Sequence, residues 1–127
     1  MSNPVALIRR IRDKRESYKA IVLWCPGCEI TDEDGHVHAG LHMLPINGNA
    51  KKRPTWKWNG DLVQVTLTPS ILTKSNRGVI PFRCHSFLRQ GRWEFLNDCT
   101  HPLKGRTVPM VPLPDWVIHE DEKLPRT

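Results

Sequence analysis

The apolar residues of this chain fall in short runs, several of them alternating, separated by glycine, proline and asparagine. Residues 62–67 read Leu-Val-Gln-Val-Thr-Leu, which puts Val63, Val65 and Leu67 on one side of a strand. The run ends in Thr68-Pro69-Ser70-Ile71-Leu72. Residues 79–90 predict a further strand, Gln90-Gly91 a turn, and residues 92–96 the return strand. Near the N-terminus, residues 5–12 and the apolar run 18–24 flank a polar turn at 13–17 and predict a β-hairpin. Val5, Ile8 and Arg12 also fit helical spacing, so an N-terminal helix is the alternative. Trp56 and Trp58 share a face of an alternating stretch that closes on the turn signal Asn59-Gly60, and core burial is the expectation for both. The pattern predicts a mainly β domain built on a small antiparallel sheet.

A length of 127 residues suits one domain with one modest core. Eleven prolines and eight glycines favour short strands and turns over long helices. Pro102, Pro109, Pro112 and Pro114 exclude a regular helix there and predict an extended proline-rich C-terminal arm, laid over the body and anchored by Trp116. The expected division is a single domain over residues 1–118 and a charged tail over 119–127. No apolar run approaches a membrane span, and the N-terminus lacks the features of a signal peptide, so the expected location is the cytoplasm of the host cell. Thiols stay reduced there, which makes four cysteines metal ligands or reactive groups before disulfides. The formal charge of +6 suits anionic partners such as nucleic acid, through Arg9, Arg10, Arg12, Lys14 and Arg15 and through Lys51, Lys52 and Arg53. A plain solvated basic surface explains the same charge.

Trp24-Cys25-Pro26-Gly27-Cys28 places two thiols three apart on a tight turn, as in a zinc knuckle. A redox Cys-x-x-Cys would open a helix instead. Cys84 is the expected third ligand and Cys99 the fourth, with His36, His38, His42 and His101 as alternatives. His36, His38 and His42 would share one face of a strand. The result would be a zinc-ribbon-like knuckle attached to the sheet. Four cysteines would close the site around Zn(2+), whereas three and a water would leave it open.

The densest chemistry lies between Cys84 and His101. A serine hydroxyl needs an imidazole to take its proton and a carboxylate to orient that imidazole. Ser86 with His101 and Asp98 would supply all three across the hairpin. His85 points to the opposite face from Ser86 and is the weaker partner, unless the strand bulges. Ser70, after Pro69 at a strand end, is a second candidate nucleophile, and the residues leave the choice open. A metal-bound water with Asp98 or His85 as base is a further variant.

The ordered set Trp24-Cys25-Pro26-Gly27-Cys28, Trp56-x-Trp58-Asn59-Gly60, Thr66-Leu67-x-Pro69-Ser70-Ile71, Cys84-His85-Ser86-Phe87, Gly91-x-x-x-Phe95-x-x-Asp98-Cys99-x-His101 and Leu103-x-Gly105 resembles a family of small phage and prophage proteins. Members are often labelled "ammonia monooxygenase", a name that nothing in these residues supports. A longer insert between Cys28 and Trp56 leaves open which of His36, His38 and His42 matches the family's single histidine there. The Pro-Ser-Ile segment and the Cys-x-Ser block are also distantly similar to a bacterial domain encoded beside ubiquitin-like conjugation genes. That likeness implies a serine-type peptidase acting on a host or ubiquitin-like protein. The alternative is a non-catalytic, zinc-stabilised module that occupies a host or phage protein or a nucleic acid. The residues say nothing of the oligomeric state.

Overall fold

The structure, a computed structural model, describes residues 3–31, 33–35, 37–75 and 81–119, with the side chains of residues 31, 37 and 38 left out. The readings of His36, of the His38 side chain, of the loop at 76–78 and of the tail beyond residue 119 lie outside the described residues.

Strands β1 (Ala6–Arg12) and β2 (Ser17–Trp24) form the N-terminal hairpin, with Ala6 opposite Leu23 and Arg12 opposite Ser17. The helical alternative is therefore excluded. The Asp13 carboxylate closes the turn by accepting the backbone N–H groups of Arg15 and Glu16. From Ala20 to Trp24 every residue of β2 is buried, because both faces of this central strand are covered. The short ladder of β3 (Ile30–Thr31) and β4 (Val37–His38) follows. Strand β5 (Leu41–Pro45) then completes a three-stranded sheet of order β1-β2-β5.

The second sheet has five strands in the order β10-β9-β8-β7-β6. They are β6 (Lys57–Trp58), β7 (Leu67–Ser75), β8 (Phe82–Arg89), β9 (Arg92–Phe95) and β10 (Thr107–Pro109). One core cluster joins Ile21, Leu23 and Leu44 of the first sheet to Leu67, Ile71, Leu88, Trp93 and Phe95 of the second. Trp56 and Trp58 pack on it half-buried. Along β8 the burial alternates: Cys84, Ser86 and Leu88 face the core, while Arg83, His85 and Phe87 lie on the outer face. The fold is mainly β, as the patterning implies.

Two expectations need correction. Residues 62–66 are not a strand. The Asp61 carboxylate accepts the N–H groups of Val63 and Gln64, and this local turn overrides the β-propensity of the run. Val63 is left 74% exposed, and the strand starts only at Leu67. The C-terminal arm is extended as far as Pro114, with β10 paired to β9, and ends in a single helical turn, α1 (Asp115–Ile118). Its anchors are Leu113 and Val117, both fully buried against Val22 and Trp24. Trp116 stays half exposed and only sets its ring edge against Trp24. The buried Arg9 guanidinium reaches back to the Val117 carbonyl at 2.9 Å and fastens the arm to β1. No helix among the described residues is long and apolar enough to cross a membrane.

Val117→Ala is expected to lower stability by about 2 kcal/mol, two buried methyl groups plus a small cavity. Trp116→Ala should cost clearly less. Urea denaturation of the two variants checks this ranking, and a larger loss at Trp116 would contradict it.

Candidate active site and thiol cluster

On the outer face of the five-stranded sheet three polar side chains form a continuous chain. The Ser70 hydroxyl lies 2.9 Å from His85 Nε2, and His85 Nδ1 lies 3.1 Å from Asp98 Oδ2. Each comes from a different place. Ser70 sits in β7 where the register with β8 shifts between Leu67 and Ile71. Bulges of this kind re-aim side chains. The Trp56 indole N–H donates to the Ser70 carbonyl at 3.2 Å and pins the backbone there. His85 stands in regular strand opposite Leu72. Asp98 follows β9, where Leu96 N–H donates to the His85 carbonyl and Thr100 N–H to the Arg83 carbonyl, so this loop is laced along β8. The Asp98 side chain is 42% exposed, and Arg83 Nε approaches the same oxygen at 3.6 Å.

On the inner face of the same sheet the thiols gather. Cys25 and Cys28 lie on the turn after β2, where Cys28 N–H donates to the Cys25 carbonyl. Cys25, Cys28 and Cys84 have their sulfurs within 4.8 Å of one another, all buried. The Cys25 and Cys84 sulfurs are 3.8 Å apart. A second group, sharing Cys84, adds Cys99 and His101. The cysteine–histidine cluster could hold a metal ion and could form a knuckle.

The electrostatics of the first group are those of thiols that share one negative charge. Hydrogen bonds from Cys25 and then Cys84 pull Cys28 far below the usual thiol range, and His42 adds to the effect. The same contact with Cys28 pushes Cys25 up to about 12. Cys25 and Cys28 together push Cys84 upward. A cation is what would let all three ionise. Burial moves His101 downward, against the pull of Cys28. His101 Nε2 is 3.2 Å from the Cys84 sulfur, and its Nδ1 accepts the Leu103 N–H.

The structure thus distributes the candidate residues differently from the arrangement across the hairpin. Ser86 is 1% exposed in the core, and His101 lies with the thiols, packed edge-on against Phe95. His85, opposite in facing to Ser86, instead meets Ser70. Cys99 is grouped with Cys84 and His101, not with Cys25 and Cys28. Its sulfur accepts the His85 N–H and donates to the His85 carbonyl, each at 3.2 Å. Nothing in the residue pattern signals that bracket. Of the basic residues, Arg9 is buried, and Arg53 is bound to Asp13, Glu16 and Tyr18.

A family model described as bacterial ubiquitination-like system serine protease (BubE) matches residues 4–96. The chain belongs to this family. The matched stretch contains Ser70 and His85 and both sheets except β10. No curated protein and no solved structure matches the chain.

The thiol turn of this BubE-family chain is closely packed. A Cβ at Gly27 would stand 2.6 Å from His101 ring atoms and 2.7 Å from Phe95. Gly27→Ala should therefore destabilise the fold by about 1–3 kcal/mol through overpacking. Thermal denaturation measures this, and an unchanged Tm would contradict the packing described.

Proposed function

We propose that the protein is a serine-type peptidase of a ubiquitin-like conjugation system, with Ser70 as nucleophile, His85 as base and Asp98 as the carboxylate that orients His85. The observation that carries this reading is the unbroken hydrogen-bonded chain from Ser70 through His85 to Asp98, in a chain that belongs to a serine protease family. As Ser70 Oγ attacks a scissile carbonyl, its proton passes to His85 Nε2. Nδ1–H donates to Asp98, whose charge stabilises the imidazolium. The proton on Nε2 then goes to the leaving amine, and a water repeats the sequence on the acyl-enzyme. A ubiquitin-like protein as substrate is supported by the family's description, and a phage or prophage origin by the ordered motifs.

Because Asp98 is exposed to water, its field is damped relative to a buried triad carboxylate. Asp98→Asn is expected to lower turnover about ten- to a hundredfold, less than the ~10⁴-fold seen where the carboxylate is buried. A fluorophosphonate probe should label Ser70. Ser70→Ala and His85→Ala should abolish labelling, and Ser86→Ala should retain it. Labelling that survives in Ser70→Ala would sink the assignment.

The thiol cluster we assign to one structural zinc. A tetrahedral site with ~2.3 Å metal–sulfur bonds has S···S edges of about 3.8 Å, the spacing of Cys25 and Cys84. Cys25, Cys28 and Cys84 supply the thiolates. His42, near enough to Cys28 to help lower its pKa, is our candidate for the fourth ligand, although it lies outside the three-thiol group. His101 has Nδ1 taken by Leu103 N–H, which leaves Nε2 as a donor to Cys84. Cys99, engaged with the His85 backbone, holds the strand instead. Purified protein should carry about one zinc per chain. His42→Ala should loosen it more than His101→Ala, and Cys99→Ser should keep it. Loss of zinc from Cys99→Ser would restore Cys99 as a ligand.

A further inference from the structure

Beside the Ser70–His85 pair the outer face of the sheet opens into a cleft of about 490 Å³. Thr68, Phe87, Arg89, Arg92 and Glu94 are among the residues that line it. Its position relative to the nucleophile follows from strand parity. Thr68 lies two residues before Ser70 on β7, and Phe87 and Arg89 lie two and four residues beyond His85 on the same face of β8. At about 3.3 Å of rise per residue, the cleft spans roughly 7–13 Å from the reacting groups. That is the reach of a residue about two to four positions from a bond held at Ser70 in an extended peptide.

The charges in this cleft are unbalanced. Arg89 is held twice, by Glu94 at 3.0 Å and by stacking over the Phe87 ring at 4.1 Å. Glu94 therefore has its charge matched. Arg92 is exposed, and among the described residues no acidic group pairs with it. The cleft carries one uncompensated guanidinium next to an aromatic wall, a setting that suits a planar carboxylate. Arg89, already committed, shapes the site by fixing Phe87.

We infer that this cleft is a specificity subsite for a carboxylate carried by the substrate polypeptide, with Arg92 as its recognition residue. The inference rests on the peptidase reading of Ser70. The carboxylate can come from an acidic side chain near the scissile bond or from a free chain terminus. An exposed ion pair changes affinity by up to about fivefold. Because Arg92 is away from the reacting atoms, the gain should fall in KM and leave kcat little changed. It should fade as salt rises, since the group is open to solvent.

The test compares three fluorogenic peptides on the full chain. One has an internal glutamate and an amidated end, one a free C-terminal carboxylate and no acidic residue, and one is neutral and amidated. The expected result is a KM about fivefold lower for at least one carboxylate peptide than for the neutral one, and which peptide gains tells the two sources apart. Arg92→Glu should remove or reverse that preference, and Arg92→Gln should remove it, with circular dichroism confirming the fold of both. Equal KM values for the three peptides, or a preference that survives Arg92→Glu, overturns the subsite. Labelling of Ser70 by a fluorophosphonate without discrimination between the peptides overturns the subsite and leaves the peptidase reading standing. Absence of both labelling and cleavage overturns the two together.

Discussion

A β-strand sends neighbouring side chains to opposite faces, and on β8 that rule is the organising constraint of this protein, matched by one pair of neighbours in the turn beside it. Cys84 and His85 are adjacent on β8, and Asp98 and Cys99 are adjacent in the loop laced beside it. The first of one pair and the second of the other lie inside with the thiols. The remaining two lie outside and bond to each other. The thiol cluster and the Ser70–His85–Asp98 chain therefore sit back to back on a single layer. Cys99 ties them further, because its sulfur brackets both backbone polar groups of His85. Cys84, a member of the thiol group, is also the residue next to His85 on β8.

The mainly β class, the N-terminal hairpin and the hairpin from β8 to β9 were legible in the patterning, since each rests on local alternation and turn residues. The convergence of Cys84 on Cys25 and Cys28 was also legible from spacing and parity. The partnership of Ser70 with His85 was not. Parity told correctly that His85 faces away from Ser86, but it does not say which face is buried. Alternation puts Ser70 on the same face of β7 as Leu72, but the pairing with β8 that sets this face beside His85 is non-local, and reading 62–67 as the strand placed Ser70 beyond its end. The run at 62–67 misled for a different reason: an aspartate just before it offered the backbone a competing partner.

Net charge was a poor guide to free surface. Arg53 is spent on Asp13 and Glu16 of the hairpin turn, stacked over Tyr18, and Arg9 is spent on the C-terminal arm. These basic side chains join segments distant in sequence and serve the fold. The guanidinium left unmatched in the cleft beside Ser70 belongs to Arg92, on a strand whose sequence looked like an ordinary return strand. Charge becomes informative about partners only once the internal pairs are subtracted.

On the proposed reading, the back-to-back arrangement makes the inner cluster a support for the chemistry at Ser70. The most direct measurement of the proposed zinc and peptidase readings is the rate at which a fluorophosphonate inactivates the protein as any bound zinc is removed stepwise with a chelator, with the fold followed by circular dichroism. The account predicts that reactivity falls in proportion to the zinc removed and returns when zinc is restored. A zinc-free protein that remains folded and reacts at the full rate would contradict it.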